Sequence, residues 1–346
     1  MLRVVRDGKA VDLRALWYSD GTLYLLDQRK LPLTVEVFEA HDLEASAFAI
    51  EDMVVRGAPA IGAAAALAMA QADHHGVDLA VAAARLRRTR PTAHDLFFAI
   101  DAMERAAGAG KDLQAEAQRY VDDIVDRCRR IGEHGATLLR EGSRVLTHCN
   151  AGALATVDWG TALAPLRVAH RAGLGIFVFA DETRPRLQGT RLTAWELVNE
   201  GIPHALIADN AAGLYLRRGE IDLVLTGADR IVANGDVANK VGTYEKAVVA
   251  KAHGVPLYVA APVSTFDLSI PDGDGIPIEE RSAQEMTHIE GVRIAPHGVT
   301  VRNPAFDITP AALVAGYITE AGVFPQDRLE RLLGQVRADH AALGHR

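Results

Sequence analysis

One thiol and one carboxylate stand out in the sequence, because each follows a short apolar run closely. Cys149 comes after the run at residues 144–147, and Asp229 comes after the run at 223–226, in the segment Gly-Ala-Asp-Arg. A thiolate is a nucleophile and a base, and a carboxyl group with a raised pKa donates protons near neutral pH. The two residues therefore suggest acid–base chemistry. The alternative for Asp229 is a helix N-cap or an ion pair with Arg230.

Cys149 precedes a run of small residues, Asn-Ala-Gly-Ala-Leu-Ala-Thr at 150–156. Small side chains let the backbone turn and begin a helix close to a ligand. The N-terminus of that helix would lower the pKa of the thiol. The alternative is an inert buried cysteine, the commonest state of this residue. Cys128 lies among arginines in a predicted helix and is assigned no role.

Several basic and amide side chains are candidates for binding an anion. Arg56 stands beside Gly57 and Ala58 at the start of an alanine-rich predicted helix, where a guanidinium and free backbone N–H groups can hold a phosphate together. The others are an arginine that ends a basic helix, an amide after a proline, and a pair at the predicted start of a later helix: Arg90, Gln188, Asn239 and Lys240. The alternative for each is an ordinary solvated surface position.

The elements that must position these residues follow from five short apolar runs, at 144–147, 176–180, 205–208, 223–226 and 257–261. Each run is continuous rather than alternating, as in strands buried on both faces. Helical stretches at 191–200 and 244–253 separate some of them. This order predicts a doubly wound, Rossmann-like parallel sheet. Because open parallel sheets bind ligands at the carboxyl ends of their strands, we expect the site there.

The sequence before residue 143 has a different character. Helical periodicity covers residues 51–72, 79–88, 93–107 and 113–140, after a short strand pair at 23–26 and 33–37. We therefore predict an α/β protein with two domains. Residues 1–143 form a smaller, mainly helical N-terminal domain with a short strand region. Residues 144–346 form a Rossmann-like α/β domain that carries most of the active site.

Composition excludes several classes of protein. The chain has 346 residues, is 49% hydrophobic and carries a net charge of −8. It can bury a large core, so it is not globally disordered, and it lacks the broad basic surface of a nucleic-acid or membrane binder. Its longest apolar run, at 58–70, is too short to span a bilayer. Two cysteines and an early charge at Arg3 favour a reducing cytoplasm over secretion.

Cofactor motifs are missing from the sequence. A dinucleotide site would need GxGxxG between a strand and a helix, and the GxG at 173–175 precedes a strand and lacks the third glycine. There is no GxxxxGK[ST] motif, and the 13 histidines show no metal-ligand spacing. We therefore expect no cofactor and no metal, and a small phosphorylated molecule as the partner rather than nucleic acid or membrane.

Longer blocks resemble the methylthioribose-1-phosphate isomerases. The blocks are Val-Arg-Gly-Ala-Pro-Ala-Ile-Gly at 55–62, Thr-His-Cys-Asn-Ala-Gly at 147–152, Glu-Thr-Arg-Pro at 182–185, Gln-Gly at 188–189, Arg-Leu-Thr-Ala-Trp-Glu-Leu at 191–197, Gly-Ala-Asp-Arg-Ile at 227–231, Asn-Gly-Asp at 234–236, Ala-Asn-Lys-Val-Gly-Thr-Tyr at 238–244, Asn-Pro-Ala-Phe-Asp-Ile-Thr-Pro at 303–310 and Ile-Thr-Glu at 318–320. The resemblance spans residues 20 to 325, in order. One departure is His94-Asp95, where the family has Val-Asn.

The resemblance implies a reaction and residue roles. The reaction is the isomerisation of 5-methylthioribose 1-phosphate to 5-methylthioribulose 1-phosphate in methionine salvage, by a homodimer. Asp229 would be the proton donor, and Cys149 the transition-state stabiliser or acid–base partner. The implied substrate contacts are Arg56, Gly57, Ala58, Arg90, Gln188, Asn239 and Lys240.

Two alternatives stay open at this point. The fold family also contains ribose-1,5-bisphosphate isomerases and regulatory subunits of the exchange factor for translation initiation. The chain could therefore isomerise another sugar 1-phosphate, such as 5-deoxyribose 1-phosphate or ribose 1,5-bisphosphate. It could also be a non-catalytic sugar-phosphate-binding homologue, although the presence of both Cys149 and Asp229 argues against this.

Overall fold

The computed structural model describes residues 2–6, 9–90 and 93–342. Five strands open the chain: β1 (Leu2–Arg6), β2 (Lys9–Leu13), β3 (Leu16–Ser19), β4 (Thr22–Leu26) and β5 (Val37–Ala40). β1 pairs with β2, and β3-β4-β5 form an antiparallel sheet. The strand predicted at 33–37 was misplaced. Residues 31–34 form a turn in which Leu33 is exposed, and pairing with β4 begins only at Val37.

Five helices follow: α1 (Leu43–Glu51), α2 (Ala58–His74), α3 (Leu79–Arg87), α4 (His94–Gly108) and α5 (Leu113–Ala136). The helix predicted at 51–72 is wrong at its start, because residues 52–57, between α1 and α2, are not helical. Gly57 has a φ of 99° in this segment, and Pro59 occupies the first turn of α2, where its missing N–H costs no hydrogen bond. Residues 58–72 of α2 are all buried, since its alanines let α4 and α5 pack closely against it.

Residues 144–342, the described part of the second half, form thirteen strands: β6 (Arg144–Thr147), β7 (Phe177–Asp181), β8 (His204–Ile207), β9 (Leu223–Thr226), β10 (Arg230–Val232), β11 (Val237–Lys240), β12 (Leu257–Ala260), β13 (Phe266–Asp267), β14 (His288–Ile289), β15 (Val292–Arg293), β16 (Phe306–Thr309), β17 (Gly316–Thr319) and β18 (Gly322–Pro325). The helices are α6 (Leu163–Arg171), α7 (Ala194–Glu200), α8 (Ala212–Arg217), α9 (Thr243–Ala252), α10 (Gln284–Thr287) and α11 (Leu329–Ala342), and a π-helical turn, Gly189–Thr193, leads into α7.

A seven-stranded sheet confirms the predicted Rossmann-like fold. Its order is β18-β17-β12-β9-β6-β7-β8, and every neighbouring pair is parallel except β17–β18. All five apolar runs are strands of this sheet, within one residue of the predicted limits. Buried residues cover both faces, as the continuous apolar runs require, except at the edge strand β8, where Leu206 is exposed.

A second sheet was not predicted. It has four strands, in the order β13-β10-β11-β16. β10 and β11 form a hairpin around the predicted turn at residues 234–236, where Gly235 has a φ of 87°. Asn239 and Lys240 therefore end a strand rather than begin a helix, which corrects the prediction. The following helix, α9, begins at Thr243.

Apolar cores lie in each half of the chain, and a smaller core that includes Leu26, Leu31, Leu154 and Leu192 joins the two halves. One core is formed among β3–β5 and α1–α5, and two others flank the seven-stranded sheet. The division at residue 143 stays a prediction, because Ile131 in α5 belongs to a core of the large sheet. Among the described residues, no helix combines the length and apolar character needed to cross a bilayer.

Candidate active site

A cavity of about 180 Å³ lies where the carboxyl edge of the seven-stranded sheet meets the start of α2. Eight of the nine predicted site residues line it: Arg56, Gly57, Ala58, Arg90, Cys149, Gln188, Asp229 and Lys240. The ninth, Asn239, lines a small adjoining recess of about 30 Å³, which Cys149 and Asp229 also line. The fold thus brings together residues that lie up to 184 positions apart in the chain, from Arg56 to Lys240.

Asp229 lies at the junction of the two sheets. Three residues, 227–229, connect β9 of the large sheet to β10 of the small one, and the Asp229 N–H donates to the Ala238 carbonyl at 2.9 Å. Burial raises the pKa of Asp229 above its ordinary value, although the cations of Lys240, Arg56 and Arg90 favour the ionised form. A carboxyl group in this setting can hold a proton for transfer to a ligand.

Cys149 is held in an uncommon backbone conformation. Its φ is 67°, its N–H donates to Thr183 Oγ1 at 2.9 Å, and its carbonyl accepts from Thr193 Oγ1 at 2.6 Å. A non-glycine residue persists at positive φ only when its surroundings determine it, and the two threonines do so here. These two hydrogen bonds hold the backbone of Cys149 in the conformation in which the residue lines the cavity.

The predicted helix after Cys149 is wrong, and so is the expected direction of its pKa shift. A single turn of 3₁₀ helix, Ala153–Ala155, stands in place of an α-helix. Burial raises the pKa of the thiol, while Arg56 and Lys240 oppose this effect. The resting thiol is therefore protonated near neutral pH, and its deprotonation depends on the cations beside it.

Arg56 and Gly57 join the start of α2 to the loop of Cys149. The Arg56 guanidinium donates to Asn150 Oδ1 at 2.7 Å and to the Asn150 carbonyl at 3.0 Å. A Cβ at Gly57 would lie 2.5 Å from the Cβ of Ala155, so this position requires glycine for space as well as for its positive φ. Ala58 then begins a helix of 17 residues, whose N-terminal N–H groups favour an anion.

Arg90 is the cation whose surroundings point most clearly to an anionic ligand. Its Nη1 is buried and has no hydrogen-bond partner among the residues that the structure describes. Burial lowers its pKa, and the neighbouring cations Arg281 and Arg56 lower it further. An anion bound between these guanidinium groups would accept a hydrogen bond from Nη1 and offset the repulsion between the cations.

Lys240 is fixed by contacts that the sequence could not reveal. Its ammonium donates to the Ala305 carbonyl at 2.8 Å and lies 4.6 Å from the centroid of the Phe306 ring. Burial lowers its pKa, and Cys149 and Asp229 act in the opposite direction. The neighbouring Asn239 donates to Thr243 Oγ1 at 3.0 Å, and this bond ties the end of β11 to α9.

Gln188 contributes an amide with spare hydrogen-bonding capacity. It follows the Arg184–Pro185 cis peptide bond and precedes the π-helical turn. Its Oε1 is buried and has no partner within the described part of the chain. The amide can therefore bind a hydroxyl group of a ligand.

Sequence reasoning missed the outer and apolar walls of the cavity. Arg186 and Arg281 both line it and both pair with Glu285, at 2.8 and 3.1 Å. The apolar wall consists of side chains from both halves of the chain: Met53, Ile61, Leu192, Ile276, Pro277 and Phe306. Residues 276–281 come from an irregular segment between β13 and β16, where no periodicity could have indicated a wall.

The departure at His94-Asp95 lies behind the cavity rather than in its wall, which Ala93 lines. Asp95 is 1% exposed in the first turn of α4. Burial raises its pKa to about 7, and Asp229 adds to the rise while Ser264 and Arg230 oppose it. Burial lowers the pKa of His94 to about 4. The departure thus changes the charge behind Asp229 and leaves the walls unchanged.

One group of side chains in the described residues has the composition of a metal site. His148, Asp181 and Asp209 bring one ligand atom each within 4.8 Å of one another, although their spacing in the sequence suggested nothing of the kind. The ammonium of Lys246 lies 3.6 Å from Asp181 Oδ2 and donates to the Asp209 carbonyl at 2.8 Å. The protein's own cation therefore balances the acidic charge, and the cluster does not fit a bound metal.

Comparisons with known proteins find relatives over most of the chain. The profile of the Initiation factor 2 subunit family matches residues 54–326. A methylthioribose-1-phosphate isomerase from Geotalea daltonii is 51% identical and covers 94% of this chain and 100% of its own length. One from Chloroflexus aurantiacus is also 51% identical, over 90% of this chain and 95% of its own length.

Solved structures are similar over the same range. A 5-methylthioribose 1-phosphate isomerase from Pyrococcus horikoshii superposes with a TM-score of 0.86, at 41% identity, over 94% of this chain and 96% of that one. A structure from A. fulgidus described as translation initiation factor eIF-2B subunit delta gives 0.84, at 44% identity, over 93% and 100% of the two chains. With a matched profile over most of its length and relatives half identical to it, the chain belongs to the Initiation factor 2 subunit family and, within it, to the methylthioribose-1-phosphate isomerases.

Proposed function

We propose that the protein converts 5-methylthioribose 1-phosphate to 5-methylthioribulose 1-phosphate, an intramolecular aldose–ketose isomerisation in methionine salvage. The observation that carries the proposal is that a buried carboxyl group and a buried thiol line the same cavity. The cavity also contains a guanidinium nitrogen of Arg90 that has no hydrogen-bond partner among the described residues, and it has an apolar wall. The relatives named above support the choice of reaction.

The substrate sets a chemical problem that Asp229 can solve. Its phosphate is on the anomeric oxygen, so the ring cannot open as a free hemiacetal does. The bond between C1 and the ring oxygen must break while the ring oxygen gains a proton. A neutral Asp229 supplies that proton, because burial raises its pKa and keeps the carboxyl group protonated to higher pH.

A hydrogen must then move from C2 to C1, and two routes are open. In the first, ionised Cys149 beside Arg56 and Lys240 removes the C2 proton to give an enediol and then returns a proton to C1. In the second, C2 hydrogen moves directly to C1 as hydride, and the protein supplies a dry pocket that stabilises charge. In both routes the C2 hydroxyl becomes the ketone by giving up its proton, which the Asp229 carboxylate left by ring opening can accept. Both routes need water to be excluded, and Cys149 is only 7% exposed.

The lining of the cavity favours a methylthio group over a second phosphate. Arg29, Arg186 and Arg191 line its outer part, but each is already paired with a carboxylate, in the pairs Arg29–Asp27, Arg186–Glu285 and Arg191–Glu290. The less compensated cations lie around Arg90, where one phosphate would bind. The apolar wall then suits the methylthio end of the sugar.

The direct test of the proposed function is an assay of ketose formation from three sugars: 5-methylthioribose 1-phosphate, 5-deoxyribose 1-phosphate and ribose 1,5-bisphosphate. We expect the highest kcat/KM for the methylthio sugar. Highest activity on the bisphosphate would move the chain to the neighbouring isomerase reaction. No product from any of the three would support the regulatory, sugar-phosphate-binding alternative.

We further infer that the enzyme is a homodimer and works in the cytoplasm. Two free, buried cysteines are consistent with a reducing compartment. A more distant neighbour, 16% identical, comes from a complex described as the tetrameric eIF2B-beta2-delta2 complex, so the fold is compatible with assembly. Sedimentation velocity would distinguish a dimer from a monomer of 37.1 kDa.

Replacing Asp229 by asparagine should remove the proton donor and keep the shape of the cavity. We expect kcat to fall by roughly 10²–10⁴-fold, the usual contribution of general acid catalysis, with little change in substrate affinity. In the parent enzyme kcat/KM should decline as pH rises through the raised pKa of Asp229, because the acid must be protonated.

The matched control is Asp222→Asn, which alters the carboxylate at the opposite end of β9, where it pairs with Arg144. That variant should turn over normally. Near-normal turnover of Asp229→Asn, measured in the same steady-state assay, would remove Asp229 from the acid role.

Cys149→Ser should reduce kcat by about 10²-fold or more, because a serine hydroxyl is a far weaker acid than a thiol and cannot take its place as base. Cys128→Ala is the control, since Cys128 lies in α5 outside the cavity lining. An effect of Cys149→Ser no larger than that of the control would return Cys149 to a structural role.

Arg90→Ala should raise KM by roughly 10–100-fold, the loss of one charge-assisted hydrogen bond of about 1.5–3 kcal/mol, and change kcat much less. Inhibition by inorganic phosphate should weaken in parallel. Arg88→Ala, two residues earlier and exposed, should leave both constants unchanged. An unchanged KM in Arg90→Ala, measured from initial rates, would place the phosphate elsewhere.

A further inference from the structure

We propose that His148 is a positioning residue, which holds Cys149 and Lys240 in fixed relation through the hydrogen bond between its Nε2 and the Val241 carbonyl. The proposal rests on the proposed function, because it explains how the two groups are kept ready for the isomerisation. No part of the mechanism above uses His148, which does not line the main cavity but lines the small adjoining recess together with Cys149, Asp229 and Asn239.

The placement of His148 in the chain is the first observation. His148 directly precedes Cys149 at the end of β6, and Val241 directly follows Lys240 at the end of β11. The Nε2 atom of His148 lies 2.9 Å from the Val241 carbonyl oxygen. One imidazole ring therefore links the ends of two strands that belong to different sheets, each next to a group of the candidate site.

The ring is also fixed from its other side. Its Nδ1 lies 2.8 Å from Asp181 Oδ2, at the end of β7, and both side chains are fully buried. A carbonyl only accepts, so Nε2 must carry a hydrogen, and a second proton lies between Nδ1 and the carboxylate. This arrangement leaves the ring one orientation.

Charged neighbours hold Asp181 in turn. Lys246 lies 3.6 Å from Asp181 Oδ2, and Asp209, whose Oδ1 is 4.0 Å from His148 Nδ1, accepts the N–H groups of Thr183 and Arg184 at 2.7 Å each. Asp307 also acts on the histidine electrostatically. Burial raises the pKa of Asp181, while His148 and Lys246 oppose it.

Gly242 shows how tightly the ring is packed. A Cβ at this position would lie 3.0 Å from both Cε1 and Nε2 of His148, and the φ of Gly242 is 104°. The Gly242 N–H donates to Asp307 Oδ2 at 2.6 Å, which fixes the peptide after Val241. The backbone thus lies directly against the imidazole, and a shift of the ring would move the chain that carries Lys240.

The competing explanation is a buried histidine that contributes stability alone. Two amide substitutions separate the explanations, since the amide nitrogen of glutamine can replace Nε2 and that of asparagine can replace Nδ1. His148→Gln can keep the bond to Val241 and lose the bond to Asp181. His148→Asn can do the reverse. Each variant loses one of the two hydrogen bonds that the buried side chain at position 148 makes. The two variants should therefore lose similar amounts of stability, and each serves as the control for the other.

The first measurement is the rate of Cys149 alkylation by iodoacetamide, with Cys128→Ala as the background so that only one thiol reacts. This readout does not depend on turnover. We expect the rate in His148→Gln to stay within about threefold of the background, and the rate in His148→Asn to rise about tenfold as the loop loosens, which is the scale of one hydrogen bond of ~1.4 kcal/mol. Equal rates in the two variants, normalised to the folded fraction by near-ultraviolet circular dichroism, would overturn the proposal.

The second measurement is the pH profile of turnover. Asp229 is surrounded by Lys240, Arg56, Arg90, Glu279, Asp95 and Cys149. Of these, Lys240 contributes the most toward keeping Asp229 ionised. If His148→Asn lets Lys240 move away, the pKa of Asp229 rises, so the alkaline limb of kcat/KM should move to higher pH and kcat should fall about 10²-fold, the cost of a misplacement of about 1 Å.

His148→Gln should keep the parent profile. An unchanged profile in His148→Asn, or the reverse order of the two variants, would contradict the proposal. If the alkylation rates differ as expected while the parent forms no ketose, the proposed function fails and the positioning role stands.

Discussion

The site depends on the removal of acidic and basic groups from water into one small space. Burial favours the neutral forms of Asp229 and Cys149, and it disfavours the cations of Arg90 and Lys240. Arg281 and Arg56 add like charge beside each of these two cations. In the proposed reaction a sugar phosphate would change that balance, because its charge would satisfy the arginines while its ring oxygen would meet a carboxyl group that still holds a proton.

Two sheets create this environment, and their junction is the critical element. The short segment at 227–229 leaves the large sheet and enters the small one, so Asp229 is placed by the backbone of both. The hairpin of β10 and β11 then returns Lys240 to the same point, and the start of α2 closes the cavity from the other side with Arg56 and Gly57. His148 connects the strand end that carries the thiol with the strand end that carries the ammonium.

The parts that could be predicted are those that depend on local patterns. Continuous apolar runs located β6, β7, β8, β9 and β12, and the rule that ligands bind at strand carboxyl ends identified Cys149 and Asp229 as neighbours. The second sheet was missed because its strands have only two to four residues and carry polar side chains, as in Val237–Lys240. Lys240 was accordingly assigned to a helix start.

The direction of the thiol pKa shift could not be predicted for a different reason. The small residues after Cys149 are compatible with a helix start, but they form a single 3₁₀ turn because Glu196 accepts the N–H of Ala153 at 2.7 Å and Gly57 packs against Ala155. These contacts join residues far apart in the chain. Burial is likewise a property of the assembled fold, which is why residue spacing located the residues that line the cavity and gave no information on the electrostatics around them.

The protonation state of Asp229 in the free enzyme shows directly whether burial keeps a proton on this carboxyl group. Infrared difference spectra between the parent and Asp229→Asn would isolate the carboxyl C=O band of Asp229 across a pH titration. Burial of Asp229 predicts that this band persists above pH ~3.9, the ordinary pKa of an aspartic acid, and disappears at a higher pH. Ionisation of Asp229 at or below that ordinary value would show that burial does not keep this carboxyl group protonated.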